Sequence, residues 1–167
     1  FYIMNEAHLH MVVNHFPIIG TILAIGILIA GLLSKNRSII NTSYVLFVVG
    51  AIFGILSMNT GEGAEELVED MPGIGWKIIH EHEELAEKMA LLLDILGVLS
   101  LVGFYLQYKK NAKEKLVSYI ILLIGIASLF VIQKVGTSGG EIRHTEIRSE
   151  TSTSTTPEIE AGDHDKE

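Results

Sequence analysis

Four apolar stretches, Met11–Leu33, Thr42–Met58, Leu85–Gln107 and Leu116–Val135, dominate the chain, and each is close to the roughly 20 apolar residues a helix needs to cross ~30 Å of hydrocarbon. A soluble bundle of greasy helices would still show polar side chains every three or four positions on an outward face. The runs IIGTILAIGILIAGLL (18–33) and LVSYIILLIGIASLFVI (116–132) show no such face. With 49% hydrophobic residues and a mean hydropathy of +0.40, the chain therefore reads as all-α. The expected architecture is a four-helix transmembrane bundle over residues 1–148, followed by a disordered, acidic, Ser/Thr-rich tail over 149–167.

Charge placement orients the bundle. The first connector holds Lys35 and Arg37, and the third holds Lys109, Lys110, Lys113 and Lys115; by the positive-inside rule both face the cytoplasm. The second connector is acidic, with Glu62, Glu65, Glu66, Glu69, Asp70, Glu81, Glu83 and Glu84 against Lys77, and is expected outside. Both termini are then expected on that outer side. The net charge of -8 belongs to this face and tail and gives no reason to expect nucleic acid. Upstream of Met11 there is no basic region with a small-residue cleavage site, so the first span reads as retained rather than as a removed signal peptide.

With no cysteine in the chain, disulfides, Cys-ligated iron–sulfur clusters and the C-x-x-C-H attachment of c-type haem are excluded, and any metal or haem must be held by His, Met, Tyr or carboxylate. All seven histidines fall on the outer half: His8, His10 and His15 around the top of span one, His80 and His82 at the top of span three, His144 after span four, and His164 in the tail. A single interfacial histidine is usually just hydrated; this one-sided cluster favours ligation by at least two, since neutral imidazole is a common metal ligand and axial haem donor. His8 and His15, seven apart, share a helix face ~10.5 Å apart along the axis, and His10 lies about 140° round from His15 unless it belongs to the lead-in segment. His82 is followed at i+4 and i+8 by Ala86 and Ala90, which leaves clearance on its face. His80 points instead toward Glu84 and Glu87 and reads as solvated.

Pro17 removes the hydrogen bond to the Val13 carbonyl and is expected to kink span one just inside His15. Gly50-x-x-x-Gly54 and the glycines of span one suit close helix packing. Asp94 falls near the middle of span three, where an acid costs ~2.5–3.5 kcal/mol on insertion scales and normally faces the bundle interior with a partner. It reads either as a proton or ion relay or as a structural hydrogen bond to Ser57, Ser100 or Ser128.

The segments HMVVNHFPIIG (10–20), TGEGAEE (60–66), HEHEELAEK (80–88) and GGEIRHTEIR (139–148) resemble those of a little-characterised family of four-span bacterial membrane proteins. Its hallmarks are a His-x4-His-[Phe/Leu]-Pro stretch opening span one and a Gly-Gly-x-x-x-x-His stretch after span four. The resemblance covers nearly the whole chain up to Arg148. One departure is Thr137-Ser138 before the double glycine, where relatives often carry a bulkier pair. The resemblance implies non-covalent b-type haem, one or two per chain, and singles out His10, His15, His82 and His144, leaving His8 and His80 outside the pattern. For a single haem the expectation is His15 and His82 as axial ligands with Arg143 near the propionates, and His10 and His144 forming a second site or supporting the first.

A bis-His iron leaves no open position for substrate, so this chemistry is electron transfer. The chain would act as a subunit of a larger respiratory or redox assembly, with other membrane subunits or a periplasmic electron carrier as partners, rather than as an enzyme alone. Three alternatives stay open: a His/carboxylate site for copper, zinc or iron that adds Glu62 or Glu65; an ion-translocation subunit in which Asp94 is essential; and a structural or assembly subunit that needs none of these polar residues. No Ser/His/Asp triad, phosphate-binding glycine loop or HEXXH helix is present, and His80-Glu81-His82 is too closely spaced for the last.

Overall fold

The computed structural model describes residues 5–69, 71 and 73–148; the expected disordered tail, His164 and Asp70 lie outside them. Every element among the described residues is helical. Helix α1 (Glu6–Val13) is capped by Asn5, whose side chain accepts from the His8 backbone N–H at 2.9 Å. It is followed by α2 (His15–Ser34), α3 (Arg37–Glu66), α4 (Trp76–Tyr108), α5 (Glu114–Arg143) and a 3-10 turn over Thr145–Ile147. Four helices are long and apolar enough to span a membrane, with α1 and α2 counting together as the first. The break between them, at Asn14, sits where the Pro17 ring would meet the Val13 carbonyl. The Pro17 carbonyl in turn accepts from the Thr21 hydroxyl at 2.7 Å.

The helices outrun the apolar stretches. Helix α3 continues past Met58 to Glu66, and α4 starts at Trp76, nine residues before Leu85. Hydropathy marks the hydrocarbon slab, whereas Gly-Glu-Gly-Ala-Glu-Glu keeps enough helix propensity to carry the backbone on above it. At the opposite, basic end the turns are tight. Lys35 adopts the left-handed conformation (φ 53°) and donates to Gly31 and Leu32, and Asn36 caps α3 by accepting from Ser38 and Ile39. Lys110 repeats the left-handed turn before α5 (φ 52°), and Arg37 pairs with Glu114 at 2.6 Å across the two helix starts.

Consecutive helices pack antiparallel, α5 closes back on α2, and α1 lies against α3. The core has two layers. Toward the basic end Ala24, Ile25, Leu28, Ile40, Tyr44, Phe47, Leu96 and Ile121 interlock; toward the acidic end Ala51, Met89, Leu93 and Ile132 do so. Large apolar side chains on the outside, including Leu23, Leu123 and Phe130, stay exposed, as lipid contact requires. The buried hydroxyls of Ser43 and Ser128 bond back to carbonyls of the preceding turn, so they cost little in an apolar interior.

Tyr44, fully buried, anchors the first layer. Ser118 Oγ donates to the Glu114 carbonyl at 3.0 Å, so in the 2.7 Å contact between the two hydroxyls Tyr44 is the donor. Tyr44→Phe leaves the serine still bonded and is expected to lower stability by about 0.5–1.5 kcal/mol, measured as the shift of the unfolding midpoint in detergent.

Candidate functional site

At the acidic end, the lead-in helix and the upper part of α4 each turn one histidine inward. Because α1 is set off from α2 by the Asn14 break and lies on α3, His10 faces α3, half-buried. Its Nδ1 is 3.0 Å from the Ser57 carbonyl and 3.2 Å from Thr60 Oγ1. A carbonyl only accepts, so the hydrogen-bond partners assign the proton to Nδ1. The Thr60 hydroxyl spends its own proton on the Leu56 and Ser57 carbonyls and can only accept from His10. In the neutral ring the Nε2 lone pair is therefore free. Gly61 lies against the ring edge, where a Cβ would come 3.7 Å from Cε1.

His82 repeats the arrangement from α4. Its Nδ1 is 2.9 Å from Ser138 Oγ on α5, and that hydroxyl donates to the Val135 carbonyl, so His82 is the donor and again Nε2 is left with its lone pair. Gly139 packs on the ring; a Cβ there would come within 3.0 Å of Cε1. Both rings lie at the acidic end of the bundle, His10 against α3 and His82 against α5. Locking Nδ1–H to an oxygen fixes both the tautomer and the orientation of a ring that ligates through Nε2. Two such rings, each cleared by a glycine, form a prepared pair of nitrogen donors.

The other expected ligands lie elsewhere. His15 is exposed, with Nδ1 donating to the Met11 carbonyl one turn back at 2.7 Å, and its neighbour Phe16 stacks on Phe53. The His15 ring thus bonds back across the Asn14 break to α1, whereas His10 is the first-span histidine that turns onto α3. His144, also exposed, follows α5 and bonds Glu146 at 2.9 Å; that bond, after the one from its own backbone N–H, holds the Glu146 carboxyl below the usual carboxylate range. Arg143 reaches the Met71 sulfur at 2.7 Å on the α3–α4 connector. His80 stacks on Trp76 and lies 3.5 Å from Glu84. His8 is exposed.

Among the described residues, no group of three or more His, Asp or Glu side chains is gathered closely enough to hold a metal ion. Glu62 is exposed, and Glu65 sits among Glu62, Glu69, Glu83 and His80. A shallow cleft of about 360 Å³ opens on the α4–α5 flank, lined in part by Leu85, Phe130, Lys134 and Ser138, so Ser138 separates this cleft from the His82 ring.

Asp94 departs from expectation. It is exposed on the outside of α4 rather than turned into the bundle, away from its expected partners. Of these, Ser128 bonds the Gly125 carbonyl, Ser100 is buried with its hydroxyl unpaired, and the Ser57 carbonyl accepts from His10.

Two contributors were given no role in the sequence. Ser138 is half of the departure from the family pattern, and that position is the one that orients His82. The Arg148 guanidinium donates to the Glu141, Ile142 and Gly73 carbonyls and staples the end of the bundle to the α3–α4 connector. Its only signal was its place at the end of GGEIRHTEIR.

The family described as predicted membrane protein, DUF2231, matches residues 6–146. No curated protein and no solved structure matches the chain.

Proposed function

The chain belongs to the DUF2231 family of predicted membrane proteins, and on that footing we propose that it is an electron-transfer subunit of a bacterial inner-membrane redox assembly, with b-type haem held at the acidic, outward-facing end by His10 and His82. The observation that carries the proposal is the matched pair of imidazoles with Nδ1 committed and Nε2 free. The donor set suits haem better than a bare ion. Copper, zinc or non-haem iron wants three or four protein donors, whereas the porphyrin brings four nitrogens of its own and asks the protein only for axial ligands.

His10 and His82 would hold the iron through Nε2, supported by the Ser57 carbonyl and by Ser138. Gly61 and Gly139 let the neighbouring helices pack against the two rings without a side chain in between. When bound, haem supplies one-electron exchange between ferric and ferrous iron. The basic end, with Lys35, Arg37, Lys109 and Lys110, would face the cytoplasm under the positive-inside rule, which leaves both termini and the site on the outer side.

The test is a reduced-minus-oxidised visible spectrum of detergent-purified protein, with a pyridine haemochrome assay for haem per chain. A b-type spectrum is expected; a featureless one from cells supplied with ample haem overturns the proposal. Ser138→Ala removes the acceptor that orients His82 and is expected to weaken haem retention by roughly 10- to 100-fold, read by transfer of haem to an excess of a haem scavenger.

A further inference from the structure

Helix α4 carries a pattern that packing within the chain does not use. Glu87, Leu91, Asp94, Val98, Leu101 and Tyr105 follow one another at alternating intervals of four and three residues, and all six are exposed. Leu91, Val98, Leu101 and Tyr105 are each more than half exposed, at 62%, 60%, 56% and 61%. The side chains that pack α4 into the bundle, among them Met89, Leu93, Leu96 and Ser100, lie on the other side. The exposed stripe therefore has the 3.5-residue period of a coiled-coil seam over ~27 Å; on a straight helix it drifts by about 20° per heptad, which a gentle left-handed supercoil of two such helices takes up.

Lipid accepts the leucines and the valine, but not Asp94. Among the charged residues of the four apolar stretches it alone lies deep within its stretch, since Glu87, Lys88 and Lys134 fall within a turn of an end. An acid at that depth requires a polar partner, and the bundle turns it outward.

We propose that α4 pairs with α4 of a second copy of this chain, parallel and in register, across a two-fold axis along the membrane normal. Register selects the occupant. In-register self-pairing sets every seam residue opposite its own counterpart, so the one polar position at mid-depth meets the one polar position of the other copy, and the apolar positions meet apolar ones. The two Asp94 carboxyls share a proton, one donating its O–H to an oxygen of the other, because two carboxylates in contact cannot both stay ionised. A single polar residue in an otherwise apolar seam fixes register and partner number in coiled coils. Glu87 also meets its counterpart, but it is exposed within a turn of the outer end of the apolar run, where water and salt screen the pair. The pairing is independent of haem.

The chain has no cysteine, so single cysteines report contact directly. Leu91→Cys and Leu101→Cys, oxidised in native membranes, are each expected to yield a disulfide-linked species of twice the chain mass. Leu123→Cys, on the exposed face of α5, should remain single. Asp94→Leu is expected to weaken self-association by roughly 3- to 30-fold and Asp94→Asn, which keeps a hydrogen-bonding pair, by less, read by energy transfer between labelled copies in liposomes. Because these side chains are exposed, the substitutions leave the core intact. Equal cross-linking at all three cysteines, cross-linking at only one of the two seam positions, linkage to a chain of different mass, or unchanged association in Asp94→Leu would each overturn the proposal.

Discussion

Replacing His10 or His82 with alanine is expected to lower haem per chain at least roughly tenfold and to abolish the reduced-minus-oxidised signal, because in the proposed site each ring would be one of two protein donors to the iron. His15→Ala and His144→Ala are expected to retain the wild-type signal. His15 spends its Nδ1 on the Met11 carbonyl one turn back and is exposed, and His144 lies beyond α5 against Glu146. The comparison separates two ligand assignments: loss in His15→Ala with retention in His10→Ala would return the axial position to the His15–His82 pair expected from the sequence. Pyridine haemochrome on the four purified variants, normalised to protein, is the measurement. Extraction yield and a monodisperse elution profile show that each variant is folded.

The second large effect concerns packing. A Cβ on Gly97 would lie 2.8 Å from the Ala51 Cβ, and neither a methyl nor the helix backbone behind it can rotate away. Gly97→Leu therefore forces α3 and α4 apart and breaks the contact between the two core layers. Overpacking of this kind costs about 1–3 kcal/mol, and the upper end applies where both sides are rigid. For a chain of this size the thermal midpoint is then expected to fall by about 5–10 °C, measured by loss of the monodisperse peak after heating in detergent. Gly26→Ala supplies the contrast. No atom lies within 4 Å of its Cβ position, and replacing a mid-helix glycine there is expected to be neutral or to stabilise by up to about 1 kcal/mol. Exchanging the pair, Gly97→Ala with Ala51→Gly, should recover most of the loss caused by Gly97→Ala alone.

The four spans and the separation of acidic from basic ends were legible in the sequence because hydrocarbon imposes its thickness on hydropathy and charge is confined to what lies beyond it. Which first-span histidine turns inward was not. Helical phase advances 100° per residue only along an unbroken helix, and the break at Asn14 resets the direction in which His10 points. The outward turn of Asp94 was hidden for a different reason. Apolar residues surround α4 on all sides within the membrane, so no polar face marks where lipid begins, and the buried side is recognisable only from contacts such as Leu93 against Gly54. Ser138 was visible as a departure from the family pattern, but its meaning required α5 to be placed beside α4. The apolar runs mark the hydrocarbon rather than the helices, so α3, α4 and α5 each extend eight or nine residues past a run at the acidic end.

Those extra turns have an electrical consequence. Helix α4 has 33 residues, ~50 Å of helix against ~30 Å of hydrocarbon, and His82 lies in its second turn, before the apolar run begins at Leu85. The transmembrane voltage drops across the hydrocarbon, at about 2.3 kcal/mol per elementary charge for each 100 mV crossed. A charge that arrives beside His82 and leaves on the same side crosses almost none of that drop. Exchange at this end of the bundle would neither draw on the membrane potential nor be slowed by it, and its rate would stay the same in energised and de-energised cells.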